Sequence, residues 1–264
     1  MAVSRSAALS AFVLHRYDWS ETSLILDLFT REQGRVAVAA KGAKRPYSQL
    51  RPVLLPFQRL SIGLGRAPAD AAAEVQTLRQ AEWAGGTAIL SGAALFSGFY
   101  LNELLMKLLA RHDPHPLLFD AYADSLQGLA QGGEDAEQAA LRAFELVLLR
   151  ELGLLPDLAS VTLTAQDVQP AAPYGLRPEA GVVALRFADD EPALTGEALI
   201  GLQAALQHGS LPALRAACQR ALPGLKAQLR GLLHYHLGSP QLRTRQVMLD
   251  VQRLLDAGPH RTTR

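Results

Sequence analysis

A single cysteine, Cys218, stands in the 264 residues. An internal disulfide is therefore impossible, and a zinc site built on a cysteine cluster is excluded. No uninterrupted apolar run reaches the ~18–20 residues that a helix needs to cross a bilayer. The N-terminal apolar patch leads straight into strand-like sequence with no small-residue cleavage site set off, so it makes a poor signal peptide. A cytoplasmic protein with no membrane association is expected. Neither charge sign dominates, with 26 Lys and Arg against 25 Asp and Glu. Signatures of catalysis are also lacking. There is no Gly-x4-Gly-Lys-Ser/Thr phosphate loop and no Gly-x-Ser-x-Gly elbow, and the Gly63-x-Gly65 pair is too weak to mark a dinucleotide site.

The near-neutral total hides a local excess. From Arg31 to Arg66 the basic residues are Arg31, Arg35, Lys41, Lys44, Arg45, Arg51, Arg59 and Arg66, against the single acid Glu32. That segment carries a net +7, so the rest of the chain sums to −6. Lys and Arg gathered in this way neutralise phosphates and release counterions, which makes a polyanion-binding surface. Tyr17, Trp19, Tyr47 and Phe57 are interspersed with the charges. Such rings either stack bases, at about 1–3 kcal/mol each, or belong to the core with Phe29. The charges themselves either bind nucleic acid or solubilise the surface.

Around this segment the pattern is that of short strands. Leu24, Leu26 and Leu28 alternate with Ile25, Asp27 and Phe29, and Val36, Val38 and Ala40 alternate with Ala37 and Ala39. Gly34 sits between them, where a hairpin needs a residue that tolerates positive φ. Ala7–Tyr17 and Ser23–Phe29 form two strands around a polar elbow, and a third follows at 36–41. Gly42–Pro52 is a basic loop, a fourth strand spans Leu54–Leu64, and a fifth Glu74–Leu78. Five short strands in about 80 residues fit an OB-fold β-barrel.

The texture turns helical near Glu82. Apolar stripes predict helices over Thr87–Arg111, Leu117–Ala130 and Ala136–Leu152. Pro156–Glu191 is rich in Pro, Gly and Ala and reads as a small β-hairpin or loop module. Thr195 can cap a helix reaching about Gln207. Leu211–Ala221, Leu225–Leu237 and Leu242–Asp256 complete a helical half. The expected class is α+β, with an OB-fold barrel in residues 1–80 and a mainly α-helical domain in 81–264 that holds the 156–191 module.

Other candidate sites are sparse. His112 and His115 flank Asp113 on a Pro-broken turn, and His234 and His236 point to different sides of a helix, so no metal is expected. Asp189, Asp190 and Glu191 form either a solvated turn or the carboxylates of a metal-dependent nuclease. Arg142 lies beside Phe144 and Leu148. It can receive a peptide's terminal carboxylate, or pair with Glu145 one turn on. Arg150 poses the same alternative.

The motifs WSETSLILDLFTREQGRVAVAAKGAKR and LRPVLLPFQRL resemble the N-terminal domain of the bacterial recombination mediator family RecO. YLNELLMKLL (100–109), DPHPLLFDAY (113–122) and RAFELVLLRELGLLPDL (142–158) are similar to its helical domain, and HLGSPQLRTRQVML (236–249) to its closing motif. The resemblance covers about residues 11–249. It implies a DNA-repair protein of the RecFOR pathway, without enzymatic activity or cofactor. Such a protein binds single- and double-stranded DNA through the basic barrel surface and anneals complementary strands. It also engages the C-terminal tail of single-strand-binding protein (SSB), and with RecR it helps RecA load on SSB-coated DNA. It implies Arg142, Phe144 and Leu148 as the tail receptor. The four-cysteine zinc site that many members carry after the PDL motif is missing here, as in a zinc-free branch. The competing expectation is an adaptor whose basic face meets an acidic protein rather than DNA.

Overall fold

The computed structural model describes residues 8–65, 75–86, 89–186, 192–238 and 242–256. Five strands close a barrel: β1 (Leu9–Asp18), β2 (Leu24–Thr30), β3 (Gly34–Ala40), β4 (Leu60–Leu64) and β5 (Val75–Trp83). Their order around the barrel is β1-β2-β3-β5-β4, with β3 and β5 parallel and the other pairs antiparallel. The alternation read from the sequence sets the inside. Leu26 pairs with Val38 and Leu28 with Val36, and all four fill the barrel with Ala11, Val13, Leu60 and Ile62.

Residues of the opposite parity are not left in water. Phe12, Leu14 and Phe29 point outward and join the core of the helical half. Phe12 meets Phe119 and Tyr122 at 5.1 and 5.0 Å between ring centroids, and Phe29 meets Phe119 at 5.4 Å. Burying both faces of β1 and β2 fuses the barrel to the helices beside it.

Two barrel strands differ from expectation. β4 begins at Leu60 rather than Leu54, because Leu50–Leu55 forms turns and Phe57 adopts a positive φ of 66° that brings its ring inward. β5 runs on to Trp83, since antiparallel pairing with β4 carries it through Gln80–Trp83.

The helical half contains α1 (Gly92–Leu108), α2 (Pro116–Ala130), α3 (Glu134–Glu151), α4 (Gly196–His208), α5 (Leu211–Leu237) and α6 (Arg243–Asp256). Thr195 caps α4 as expected, accepting from the Ala198 amide at 3.2 Å. The chain does not break at Pro223. Ala221 and Leu225 on either side are both buried, and that packing outweighs one lost helical hydrogen bond. The adjoining Gly224 lets the Ala193 backbone approach so closely that a Cβ would collide with its carbonyl.

Between α3 and α4 lie two small sheets rather than one hairpin. One pairs β6 (Ser160–Val161) with β7 (Gln166–Asp167). The other orders β10 (Leu194–Thr195), β8 (Pro173–Arg177) and β9 (Gly181–Ala184). Packing holds them: Leu158, Val168, Tyr174, Leu176, Val182 and Leu194 all enter the helical core. Gln228 of α5 accepts from the Leu176 amide at 2.7 Å and donates to the Pro192 carbonyl. Among the described residues no three His, Cys, Asp or Glu side chains converge as metal ligands. Asp189, Asp190 and Glu191 lie outside the described residues. No helix of the described residues is long and apolar enough to cross a membrane.

Candidate functional site

The structure divides the basic segment in two. Three of its arginines turn toward the helices. Arg31, at the β2–β3 tip, makes a twofold hydrogen-bonded pair with Asp120 of α2, both contacts at 3.0 Å. Arg35 donates to the Met106 carbonyl and lies 3.9 Å from Asp27, which Arg111 approaches to 3.2 Å. Arg59 stands 5.8 Å from the Phe119 ring centroid and bonds the Ser10 hydroxyl. At the same junction, Gly34 has a φ of 68° and a Cβ there would collide with the Asp113 backbone. Asn102 donates to the Leu14 carbonyl at 3.0 Å and accepts from Tyr122.

The other described cations face solvent. Lys41, Arg45 and Arg51 are exposed on the loop between β3 and β4. That loop folds against the β1–β2 elbow: the Lys44 amide donates to the Thr22 carbonyl at 2.9 Å, and its ammonium to the Ser20 carbonyl at 3.0 Å. Lys44 also pairs with Asp18 at 2.9 Å. A cleft of about 430 Å³ brings Lys44 and Arg51 together with Arg16. Sequence reading missed Arg16 because it lies outside the basic run. Its signal is the outward register of β1 after the bulge between Val13 and His15. Trp19 in the elbow and Tyr47 on the loop are 57 and 94 % exposed, and Phe57 and Phe29 are core. Tyr17 lies on the other side of β1, its ring 4.4 Å from that of His15 and near Asp27, Arg35 and Arg111. Arg66 lies outside the described residues.

A second cationic site lies in the helical half. A cavity of about 560 Å³ is lined by single stripes of four helices. From α3 come Glu134, Glu137, Gln138, Leu141 and Arg142, and from α5 Lys226, Arg230, Leu233 and His234. Phe96, Ser97 and Tyr100 come from α1, and Arg245, Met248 and Leu249 from α6. Each set recurs at three- and four-residue spacing, the period of one helix face. Arg142 is only 6 % exposed and pairs with Glu145 at 2.7 Å, while its Nε has no partner. Tyr100 donates to the same Glu145 oxygen at 2.7 Å. Burial pushes the Glu145 carboxyl above its ordinary range, against the pull of Arg142 and the other nearby cations. Among the described residues, Lys226, Arg230 and Arg245 have no ion-pair partner. Burial and the charges of Arg230 and Arg245 hold His234 below its ordinary value.

Of the three residues expected at this site, only Arg142 lines the cavity. Phe144 and Leu148 are fully buried, and Phe144 packs toward Tyr122 with ring centroids 6.1 Å apart. Arg150 is turned elsewhere, donating to the Leu206 carbonyl at 2.6 Å. Lys226 and Arg230 were legible only as an i, i+4 pair, and nothing local placed Arg245 opposite them.

This architecture defines a class: an OB-like five-stranded barrel joined to a helical domain with small sheets, carrying one cationic surface on each part. The family model for the N-terminal region of recombination protein O matches residues 5–86, and that for its C-terminal region residues 90–246. The chain belongs to the RecO family of DNA repair proteins. The DNA repair protein RecO of Polaromonas sp. is 53 % identical over 258 residues, covering 96 % of this chain and 100 % of its own. That of Verminephrobacter eiseniae is 52 % identical over 254 residues, covering 96 % and 99 %.

Proposed function

We propose that this chain is a non-catalytic DNA-binding recombination mediator working at the nucleoid in the cytoplasm. Its barrel face holds single- and double-stranded DNA and promotes annealing of complementary strands. The observation that carries this reading is the gathering of Arg16, Lys41, Lys44, Arg45 and Arg51, with exposed Trp19 and Tyr47, at the β1–β2 elbow and the loop that folds against it. Cations there screen the repulsion between two phosphate backbones, and the rings offer stacking platforms for unpaired bases.

The helical cavity receives the acidic C-terminal tail of SSB. Its apolar walls suit the tail's apolar side chains, and Arg142, Lys226, Arg230 and Arg245 suit its carboxylates. Tethering to SSB raises the effective concentration of the barrel face at coated DNA. With RecR, the protein then promotes RecA loading on that DNA.

The test is annealing of complementary oligonucleotides coated with SSB, followed by fluorescence transfer without nucleotide or metal. Acceleration that is lost when the SSB tail is deleted is the expected result. No acceleration of coated or bare strands would overturn the DNA reading. The basic face would then belong to an adaptor for an acidic protein.

A further inference from the structure

The fourth wall of the helical cavity is held differently from the other three. α1, α3 and α5 are built into the core by buried leucines along their length. Among the described side chains of α6 and the residue before it only Leu242 is buried, and Val247, Met248 and Leu249 are exposed. Leu242, the residue before the first turn of α6, has no polar side chain with which to cap it. Instead Glu103 of α1 reaches across: one oxygen accepts from the Arg243 amide at 2.9 Å, and the other from the Thr244 amide and hydroxyl at 2.9 and 2.7 Å. Those donors are the orphan groups that every helix N-terminus presents, here satisfied from another helix. Burial pushes the Glu103 carboxyl up, but these hydrogen bonds outweigh it and hold the group below its ordinary value. Lys107 adds a charge contact at 3.7 Å.

Through α6, Arg245 lines the same cavity as Arg230 and His234 of α5, together with Glu134 and Glu137 of α3. The described contacts that fix the start of α6 are Leu242 and the Glu103 clamp.

We propose that Glu103 is the positioning residue of the anionic-peptide cavity. It does not touch the peptide; it fixes α6 so that Arg245, Met248 and Leu249 complete the wall. The proposal rests on the reading of this cavity as a peptide site and adds the residue that keeps it assembled.

The experiment measures binding of a labelled acidic peptide with a free C-terminal carboxylate to the full chain and to its Glu103→Ala and Thr244→Val variants. Amide hydrogen exchange is followed in parallel. Losing a cap of this kind opens a helix end, and binding should weaken by about five- to tenfold in Glu103→Ala. Thr244→Val removes one of the three hydrogen bonds and should weaken binding by about twofold, which keeps the test decisive if Glu103→Ala fails to fold. Exchange should quicken in α6 and stay unchanged in α3 and α5.

If the wild-type chain binds the peptide and the variants bind it equally well while α6 exchanges faster, Glu103 does not position the site. Faster exchange through α3 and α5 as well would mark a general structural role and overturn the proposal. If the wild-type chain itself does not bind the peptide, the peptide reading of the cavity falls first.

Discussion

The barrel's loop face and the helical cavity each gather four or five cations, but only the cavity buries one of them, Arg142, while Lys226, Arg230 and Arg245 are exposed. On the barrel the charges stand at the surface of β1 and its neighbouring loop, and Asp18, which pairs with Lys44, is itself exposed. In the cavity Arg142 is buried against a fully buried carboxylate, Glu145, with Tyr100 completing the group. The first arrangement costs the fold little and gives a surface whose attraction depends on salt. The second must keep the Arg142–Glu145 pair together, because removing one partner of a buried pair is strongly destabilising. The molecule thus keeps a broad, tolerant cationic surface on one part and a shaped, demanding one on the other.

The sharpest way to break this comparison is Glu145→Ala. It strands Arg142 and the Tyr100 hydroxyl, and should lower the unfolding free energy by ~3–5 kcal/mol. Urea denaturation reads this directly. A loss as small as that of a surface substitution would mean that the group is solvated after all.

On the barrel the corresponding change is the fourfold replacement of Lys41, Lys44, Arg45 and Arg51 by Ala. The denaturation midpoint should hardly move. DNA binding should weaken for all sequences alike, and the slope of log affinity against log salt should flatten by about three to four. An unchanged slope would remove this loop from the DNA surface.

The smallest expected effect separates the two halves of the basic segment itself. Arg31→Ala removes the pair with Asp120, so it should leave the salt slope of DNA binding as it is and lower the thermal midpoint slightly. A flattened slope would return Arg31 to the DNA surface and blur the division that the structure draws.

Much of the barrel was legible because its information is local. Alternation at Leu24–Phe29 and Val36–Ala40 gave two strands and their inward faces, and Gly34 gave their turn. The true extent of β5 was not local, since Gln80–Trp83 become strand by pairing with β4. The gap expected between Ala221 and Leu225 closes for the same reason: burial on both sides keeps α5 continuous through Pro223. For the candidate sites, the sequence showed the basic residues but not which way they face. Arg31 and Arg59 differ from Arg45 and Arg51 only in what the fold puts beside them, a helical wall or water. The cavity was less legible still, because its four stripes lie far apart in the chain and only packing brings Arg142, Arg230 and Arg245 to one space.

The junction described at Gly34, Arg31 and Asn102 has a mechanical consequence. A backbone approach that admits no Cβ, a twofold arginine–aspartate pair and a shared aromatic cluster leave no hinge between barrel and helices. The two cationic surfaces are therefore a fixed span apart, like the jaws of a locked caliper. Any molecule that grips both at once has to supply all of the slack itself.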